Sequence, residues 1–405
     1  MTMVGGKRYG CTIVSLNYLP YAKILAKSFL DCNPSAEFLV LLVDRKVEGL
    51  DFRGEGFSHV WVEDLGIKNF PSIAFKFNIL ELNTNVKPSF IKYIMSEKSA
   101  ESVIYLDPDI KVYKSVDFIY DHLIRHPIVL TPHALEPIDD ERKPSEQEFL
   151  AAGVFNLGFI GVANNQAGLG FLNWWERRCL QLGFNEMQTG LFVDQKWTNL
   201  IPCLFHDYFI LRHRGCNVAY WNLHERSLAS ENAELMSSGE ELVFFHFSGI
   251  DLKKLDSISK YQNRYTLDSR PELKLIFSDY AALLLDNGLE KSLDQEYGFS
   301  KFHSGEGVSD IVRKVYASNQ RVFAAEDPFH DGSEVYKWAK KNSLLINSGC
   351  PRVVFSDAKM SRSMIVVGFL LRVIFKLVGE AKYTGLLKYF KYISVLRNQD
   401  KVFKI

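Results

Sequence analysis

From Cys11 to Asp44 the chain passes from an apolar run through a helical pattern into a second apolar run, and no other feature constrains the fold as much. The spacing predicts a strand over Cys11–Ser15, a helix over Leu19–Asp31 and a strand over Phe38–Asp44. Parallel strands need a crossover between them, so this order is the start of an α/β fold. Apolar runs at Val60–Val62, Val103–Leu106, Ile128–Leu130 and Val154–Val162 predict more strands, with helical patterns at Ala74–Leu82 and Phe90–Glu97 between them. One mostly parallel sheet flanked by helices accommodates all of them. Leu169–Phe184 has helical spacing, and Leu242–Phe247 reads as another buried strand. Pro132–Gln147, rich in proline and acid, reads as an exposed loop near the carboxyl ends of the strands.

A chain of 405 residues, 47% hydrophobic and 24% charged, can bury a large core and an additional region. The 48 basic and 48 acidic residues cancel, which disfavours a general affinity for nucleic acid. Six cysteines without CxxC spacing argue against a disulfide framework or structural zinc. The N-terminus shows no basic segment followed by an apolar run and a cleavage site, so the expected location of the catalytic part is cytosolic. Neither a P-loop nor a GxGxxG fingerprint is present, which removes the main support for kinase-like and dinucleotide-binding functions.

Chemistry concentrates at Tyr105-Leu106-Asp107-Pro108-Asp109. The strand Val103–Leu106 delivers both carboxylates to a sheet's carboxyl end, where open α/β sheets bind ligands. Pro108 stiffens the turn and limits the directions the two acids can take. Such a pair suits a divalent cation that stabilises a departing diphosphate. Alternatively, Asp-Pro-Asp is a turn with satisfied carboxylates.

Four segments, in this order, carry a resemblance: Thr12-Ile-Val-Ser-Leu-Asn-Tyr-Leu-Pro-Tyr21, Tyr105-Leu-Asp-Pro-Asp109, Phe155-Asn-Leu-Gly-Phe159 and Phe245-His-Phe-Ser-Gly249. Over roughly residues 8 to 265 the chain resembles nucleotide-sugar glycosyltransferases of the GT-A fold, most nearly glycosyltransferase family 8 and related bacterial polysaccharide enzymes. The resemblance implies that Asp107, Asp109 and His246 hold manganese, a donor set of imidazole and carboxylates that suits Mn2+ better than Mg2+, although Mg2+ stays open. It places the nucleotide of a UDP-sugar at Thr12, Ser15, Asn17, Tyr18 and Leu106. Tyr18 alternatively staples the following helix. Lys76 approaches the phosphates in the family, whereas a lone helical lysine is otherwise solvated.

The resemblance further implies that Asn156 contacts the donor sugar, with Gly158 permitting close backbone approach, and that Asp194 and Gln195 lie beneath the reacting sugar. Asp194 alternatively caps a helix. The family's lysine after the late glycine is displaced here, leaving Lys253 and Lys260 as equal candidates for the phosphate contact. Retention at the anomeric carbon is implied; inversion would need a carboxylate base, for which Asp194 or Glu225 is available. A nucleotidylyltransferase would want a glycine-rich loop where Ser15-Leu-Asn-Tyr18 stands, and a membrane-attached scaffold without turnover is the non-enzymatic alternative.

Three regions are expected: a GT-A catalytic domain over 1–265, a helical accessory region over 266–350 and a basic amphipathic tail over 351–405. From 362 onward nine lysines and arginines face only Glu380 and Asp400. The apolar stretch Met364–Val378 is interrupted by Arg372 and Lys376, so it is expected to lie on an anionic membrane surface rather than cross it, or else to pack on the protein's own core. The whole implies a cytoplasmic enzyme on the inner membrane's cytoplasmic face, acting on an oligosaccharide or lipid-linked acceptor.

Overall fold

The computed structural model describes residues 6–231, 234–254, 256–346 and 357–405, the side chains of 357–364 excepted. Two compact units result: Met1–Lys68 with Ile79–Gly298, and Asn69–Asn78 with Phe299–Ile405.

The first unit is built on β1 (Lys7–Val14), β2 (Glu37–Leu42), β3 (Ser58–Trp61), β4 (Ala100–Leu106), β5 (Ile110–Val112), β6 (Ile128–Pro132) and β7 (Phe155–Ala163). All but β5 join one sheet in the order Phe209–Ile210, β6, β7, β4, β1, β2, β3. Every pairing in it is parallel except those of β7, which runs antiparallel to both β4 and β6. This is the mostly parallel α/β sheet that the strand–helix alternation predicts, with one reversed strand that periodicity does not reveal. The reversal sets the start of β7 beside the end of β4. Leu106 stands opposite Phe159, and the Asp107 N–H donates to the Gly158 carbonyl at 2.7 Å.

The helix Leu19–Cys32 begins with Pro20 in its first turn, where a missing N–H costs nothing. It ends at Asn33, whose side chain donates to the Phe29 carbonyl at 2.8 Å. The predicted helix Ala74–Leu82 is two helices, Phe70–Lys76 and Ile79–Asn85, which belong to different units. Phe77 between them is extended at φ −104°, ψ 139°, a break that the unbroken apolar spacing does not signal. The Leu242–Phe247 run forms a strand only over Phe244–His246, and it pairs antiparallel with β5 instead of entering the main sheet. The loop after β6 gives way at Ser145 and Glu148 to a reciprocal capping box that starts the helix Glu146–Ala152. A second buried apolar cluster joins Tyr21 and Ile24 to Phe245, Phe247 and the helix Lys274–Asp286 through Phe277 and Tyr280.

The second unit centres on buried Arg313 of the helix Asp310–Ser318. Its guanidinium donates to the carbonyls of Ala74, Phe75, Phe77 and Phe299. Phe75 packs edge-on against Tyr316 and Phe329. A helical segment spans Asp357–Ser394. Among the described residues no helix is long and apolar enough to cross a membrane.

Candidate metal and ligand site

Asp107 and Asp109 leave the carboxyl end of β4 in a tight turn closed by the Ile110 N–H to Asp107 carbonyl bond at 3.1 Å. The chain then enters β5, whose antiparallel pairing places His246 opposite Ile110. Register therefore does what sequence distance cannot. It sets the imidazole Nε2 2.9 Å from Asp109 Oδ1 and 3.9 Å from Asp107 Oδ2. One ligand atom from each of the three lies within 4.8 Å of the others.

The tautomer of His246 follows from its neighbours. The Asn217 Nδ2 donates to Thr131 Oγ1 at 2.9 Å and Asn156 Oδ1 at 3.0 Å, so its Oδ1 faces His246 Nδ1 at 3.1 Å and accepts from it. The Nδ1 proton is thereby held, and Nε2 is presented to the carboxylates, as metal-ligating histidines require. Asn217 achieves this at φ +56°, a left-handed conformation that asparagine tolerates better than most residues. Burial would lower the His246 pKa, but Asp109 and then Asp107 outweigh it and raise it. Close packing makes Gly158 obligatory: a Cβ there would lie 2.4 Å from His246 Cε1. The Trp221 ring closes the other side, edge-on at 5.0 Å.

Two cavities meet at the acid pair. One, of about 350 Å³, is lined by Ser15, Asn17, Tyr18, Leu80, Asn83, Asp107 and Asp109 among others. The other, of about 530 Å³, shares Leu80, Thr84, Asp107 and Asp109 with the first. It adds Lys87, His133, Asn156, Asp194, Gln195, Tyr220, His246 and Tyr261.

The structure therefore brings together Ser15, Asn17, Tyr18, Asp107, Asp109, Asn156, Asp194, Gln195 and His246. Ser15 Oγ donates to Asn17 Oδ1 at 2.6 Å. Tyr18 both lines the cavity and stacks on Tyr21 of the following helix at 4.8 Å. Thr12 and Leu106 are fully buried in their strands and line neither cavity. Lys253 and Lys260 also stay outside the lining, which that part of the chain supplies through Ser248 and Tyr261. Lys76 falls in the second unit, buried, with its ammonium 4.7 Å from the Phe77 ring.

The cation of the larger cavity is instead Lys87. It is buried, with Nζ 2.7 Å from Asp194 Oδ2, 2.7 Å from the Leu157 carbonyl and 4.0 Å from Asp107 Oδ1, above the Tyr105 ring. Sequence reasoning missed it because Lys87 lies before the predicted helix Phe90–Glu97, where a lone lysine reads as solvated; the helix in fact spans Lys87–Glu97. The only local signal is the adjacent Pro88, which marks that start. Burial pushes the Asp194 carboxyl up against the pull of Lys87. Before it, β-branched Val193 sits at φ +39°, a conformation costing on the order of 1–3 kcal/mol and characteristic of functional sites.

Gln195 spends its amide on the backbone, accepting from the Leu157 N–H at 3.0 Å and donating to the Ala152 carbonyl at 3.2 Å. It ties the start of β7 in place. Asn156 donates to His133 Nε2 at 3.2 Å, and His133, its pKa pushed down to about 4 by burial, is neutral. Glu225 does not face a ligand: its carboxylate accepts from the backbone N–H groups of Leu135 and Glu136 and pairs with Arg226.

No family model matches the sequence. The chain is similar to two uncharacterized proteins of Bacillus subtilis strain 168. It is 25% identical to YfnF over 272 residues, covering 62% of this chain and 84% of that protein. To YfnD it is 25% identical over 200 residues, 48% of this chain and 61% of that one. Among solved structures it is similar to the galactosyltransferase LgtC, determined with donor and acceptor sugar analogues, at TM-score 0.40 and 16% identity over 68% of this chain and 95% of that one. It is similar as well to the glycosyltransferase GlyE of Streptococcus pneumoniae TIGR4, at TM-score 0.41 and 15% identity over 74% and 67%.

Proposed function

We propose that the chain is a metal-dependent glycosyltransferase that moves a sugar from a UDP-sugar to a glycan or lipid-linked glycan in bacterial surface polysaccharide synthesis. The observation that carries this is the convergence of Asp107, Asp109 and His246 from distant segments between two adjoining cavities. The donor set fits Mn2+: two carboxylates, and an imidazole whose Nδ1 is already occupied by Asn217. Asp107, Asp109 and His246 would hold the cation, whose charge would offset that growing on a departing diphosphate.

The chain's own residues supply the rest. The smaller cavity, with Ser15, Asn17 and Tyr18, suits a nucleoside, since Tyr18 offers a ring face and Asn17 a polar edge. In the larger cavity Lys87 stands between Asp107 and Asp194, positioned to hold phosphate or sugar oxygens. Tyr220 and Tyr261 at its rim offer aromatic faces to an acceptor sugar.

The carboxylates favour retention over inversion. Among the described residues those lining the larger cavity are Asp107, Asp109, Asp194 and Glu148. Asp194 is paired with Lys87 and Glu148 with Ser145, so neither stands ready to deprotonate an acceptor. The basic C-terminal segment supports a location on the cytoplasmic face of the inner membrane, near a lipid-linked acceptor.

Thermal unfolding with manganese, with UDP and with both tests the site, followed by a screen of nucleotide sugars for manganese-dependent hydrolysis. A joint rise in Tm with hydrolysis of one UDP-sugar is expected. An unchanged Tm in all three conditions rejects the assignment, and the anomer seen by product NMR decides retention.

A further inference from the structure

We propose that the helical segment Asp357–Ser394 is a two-armed anchor that dips into one leaflet of an anionic bilayer. It rests on the membrane-face location proposed above and adds how the protein is held there. The segment belongs to the second unit, whose packed parts stand before and after it in the chain. Before it Leu345–Ile346 pairs with Gly307–Val308. After it Val395 is buried, Leu396–Lys401 packs on the helix Asp310–Ser318, and the Trp338 indole N–H donates to the Lys404 carbonyl at 3.1 Å.

Within the segment Gly379, at φ +74° and ψ 170°, breaks the helix into two arms. The rings of Phe375 and Tyr383 meet edge to face across the break at 5.3 Å. No residue from 365 to 394 is buried. Ile365 is 69% exposed, Phe369 61%, Leu370 53% and Leu377 79%. Successive residues of a helix point about 100° apart, so exposed Ile365, Val366 and Val367 cover three quadrants and exposed Phe375 the fourth. A helix apolar on all sides is one that something else buries.

Charge identifies the cover. Between 365 and 394 stand Arg372, Lys376, Lys382, Lys388 and Lys391 against Glu380 alone. A second copy would bring the same positive charge, whereas anionic headgroups neutralise it while acyl chains take the apolar faces. The apolar stretch Ile365–Val378 of the first arm, itself interrupted by Arg372 and Lys376, is about 21 Å long, short of the roughly 30 Å hydrocarbon core, so it enters without crossing. Arg372 and Lys376, one turn apart, extend back to the headgroups, and Tyr383, Tyr389 and Tyr392 on the second arm fit the interface.

The test is co-sedimentation of the full chain with vesicles of phosphatidylcholine alone or with 30% phosphatidylglycerol. At least tenfold more binding to the anionic vesicles is expected, and at least a tenfold loss in the double variant Phe369→Glu/Leu370→Glu. Manganese-dependent nucleotide-sugar hydrolysis in solution reports separately on the fold and the catalytic assignment, and it should be unchanged in that variant. A Phe369→Trp variant should gain fluorescence that acyl-brominated lipid quenches beyond the wild-type level. Equal binding to both vesicles, undiminished binding of the double variant, no added quenching, or a dimer that hides the arms and ignores vesicles would each overturn the proposal.

Discussion

The two sides of the larger cavity solve opposite electrostatic problems. On one, Lys87 and Asp194 are both almost wholly buried and neutralise each other at 2.7 Å. On the other, Asp107 and Asp109 remain partly exposed; His246 reaches both, and Lys87, already paired with Asp194, comes no nearer than 4.0 Å to Asp107. The first side is complete as it stands and serves the fold as much as any ligand. The second sets two carboxylates against one imidazole and a lysine already paired with Asp194, which is the condition of a site awaiting a cation. Removing a group should therefore cost stability on the first side and ligand response on the second.

The largest effect is expected at Lys87. Lys87→Met strands a buried carboxylate and should cost about 3–5 kcal/mol in denaturant unfolding, while the double variant Lys87→Met/Asp194→Leu should recover much of that loss. A mild single variant would mean that the pair is hydrated in solution and would erase the contrast. On the opposite side Asp109→Asn should leave the metal-free protein within about 1 kcal/mol of wild type, abolish the manganese shift in Tm and lower turnover by on the order of 100-fold or more.

The pH dependence separates the two buried histidines. The folded pKa of His133 lies at about 4, below the ordinary 6.5, so its stabilising contribution is present above pH 6.5 and falls away between there and pH 4, by about 3 kcal/mol. The folded pKa of His246 is raised; its contribution is complete below 6.5 and is lost as pH climbs through the raised value. Metal-free unfolding followed against pH should show the acid-side loss shrinking in His133→Asn and the alkaline-side loss vanishing in His246→Asn. The smallest effect belongs to Asn217→Ala, which frees the His246 ring and should weaken manganese binding about 10–100-fold, read by titration.

Much of the first unit was legible because it is written locally. Unbroken apolar runs locate β1, β2 and β4, and period-3.6 spacing the helix after β1, to within a few residues, since a parallel strand buried on both faces is apolar throughout and a helix buries one stripe. The acid pair was legible for the same reason, as polar residues directly beyond an apolar strand. His246 needed the resemblance, because nothing in Phe244–His246 announces that its partner strand is β5. Lys76 and Lys87 show the limit. Both are helical lysines, Lys76 at the end of Phe70–Lys76 and Lys87 at the start of Lys87–Glu97, and the one that faces Asp107 is known only after Phe77 breaks the helix and Asp194 pairs with Lys87.

The amino-acid order alone thus determined which segments are strands and helices, where two carboxylates emerge, and that the C-terminal segment is both apolar and basic. Tertiary structure decided the reversed direction of β7, the meeting of His246 with Asp109, the choice of Lys87 as the buried cation and the packing of Leu396–Lys401 on the helix Asp310–Ser318 after the exposed arms. The division has one physical cause. Burial is set element by element and leaves its mark in the local sequence, as an unbroken apolar run in a buried strand or a stripe in a helix, whereas strand order, register and ion pairing are relations between elements far apart in the chain, settled by which of them bury surface and charge together.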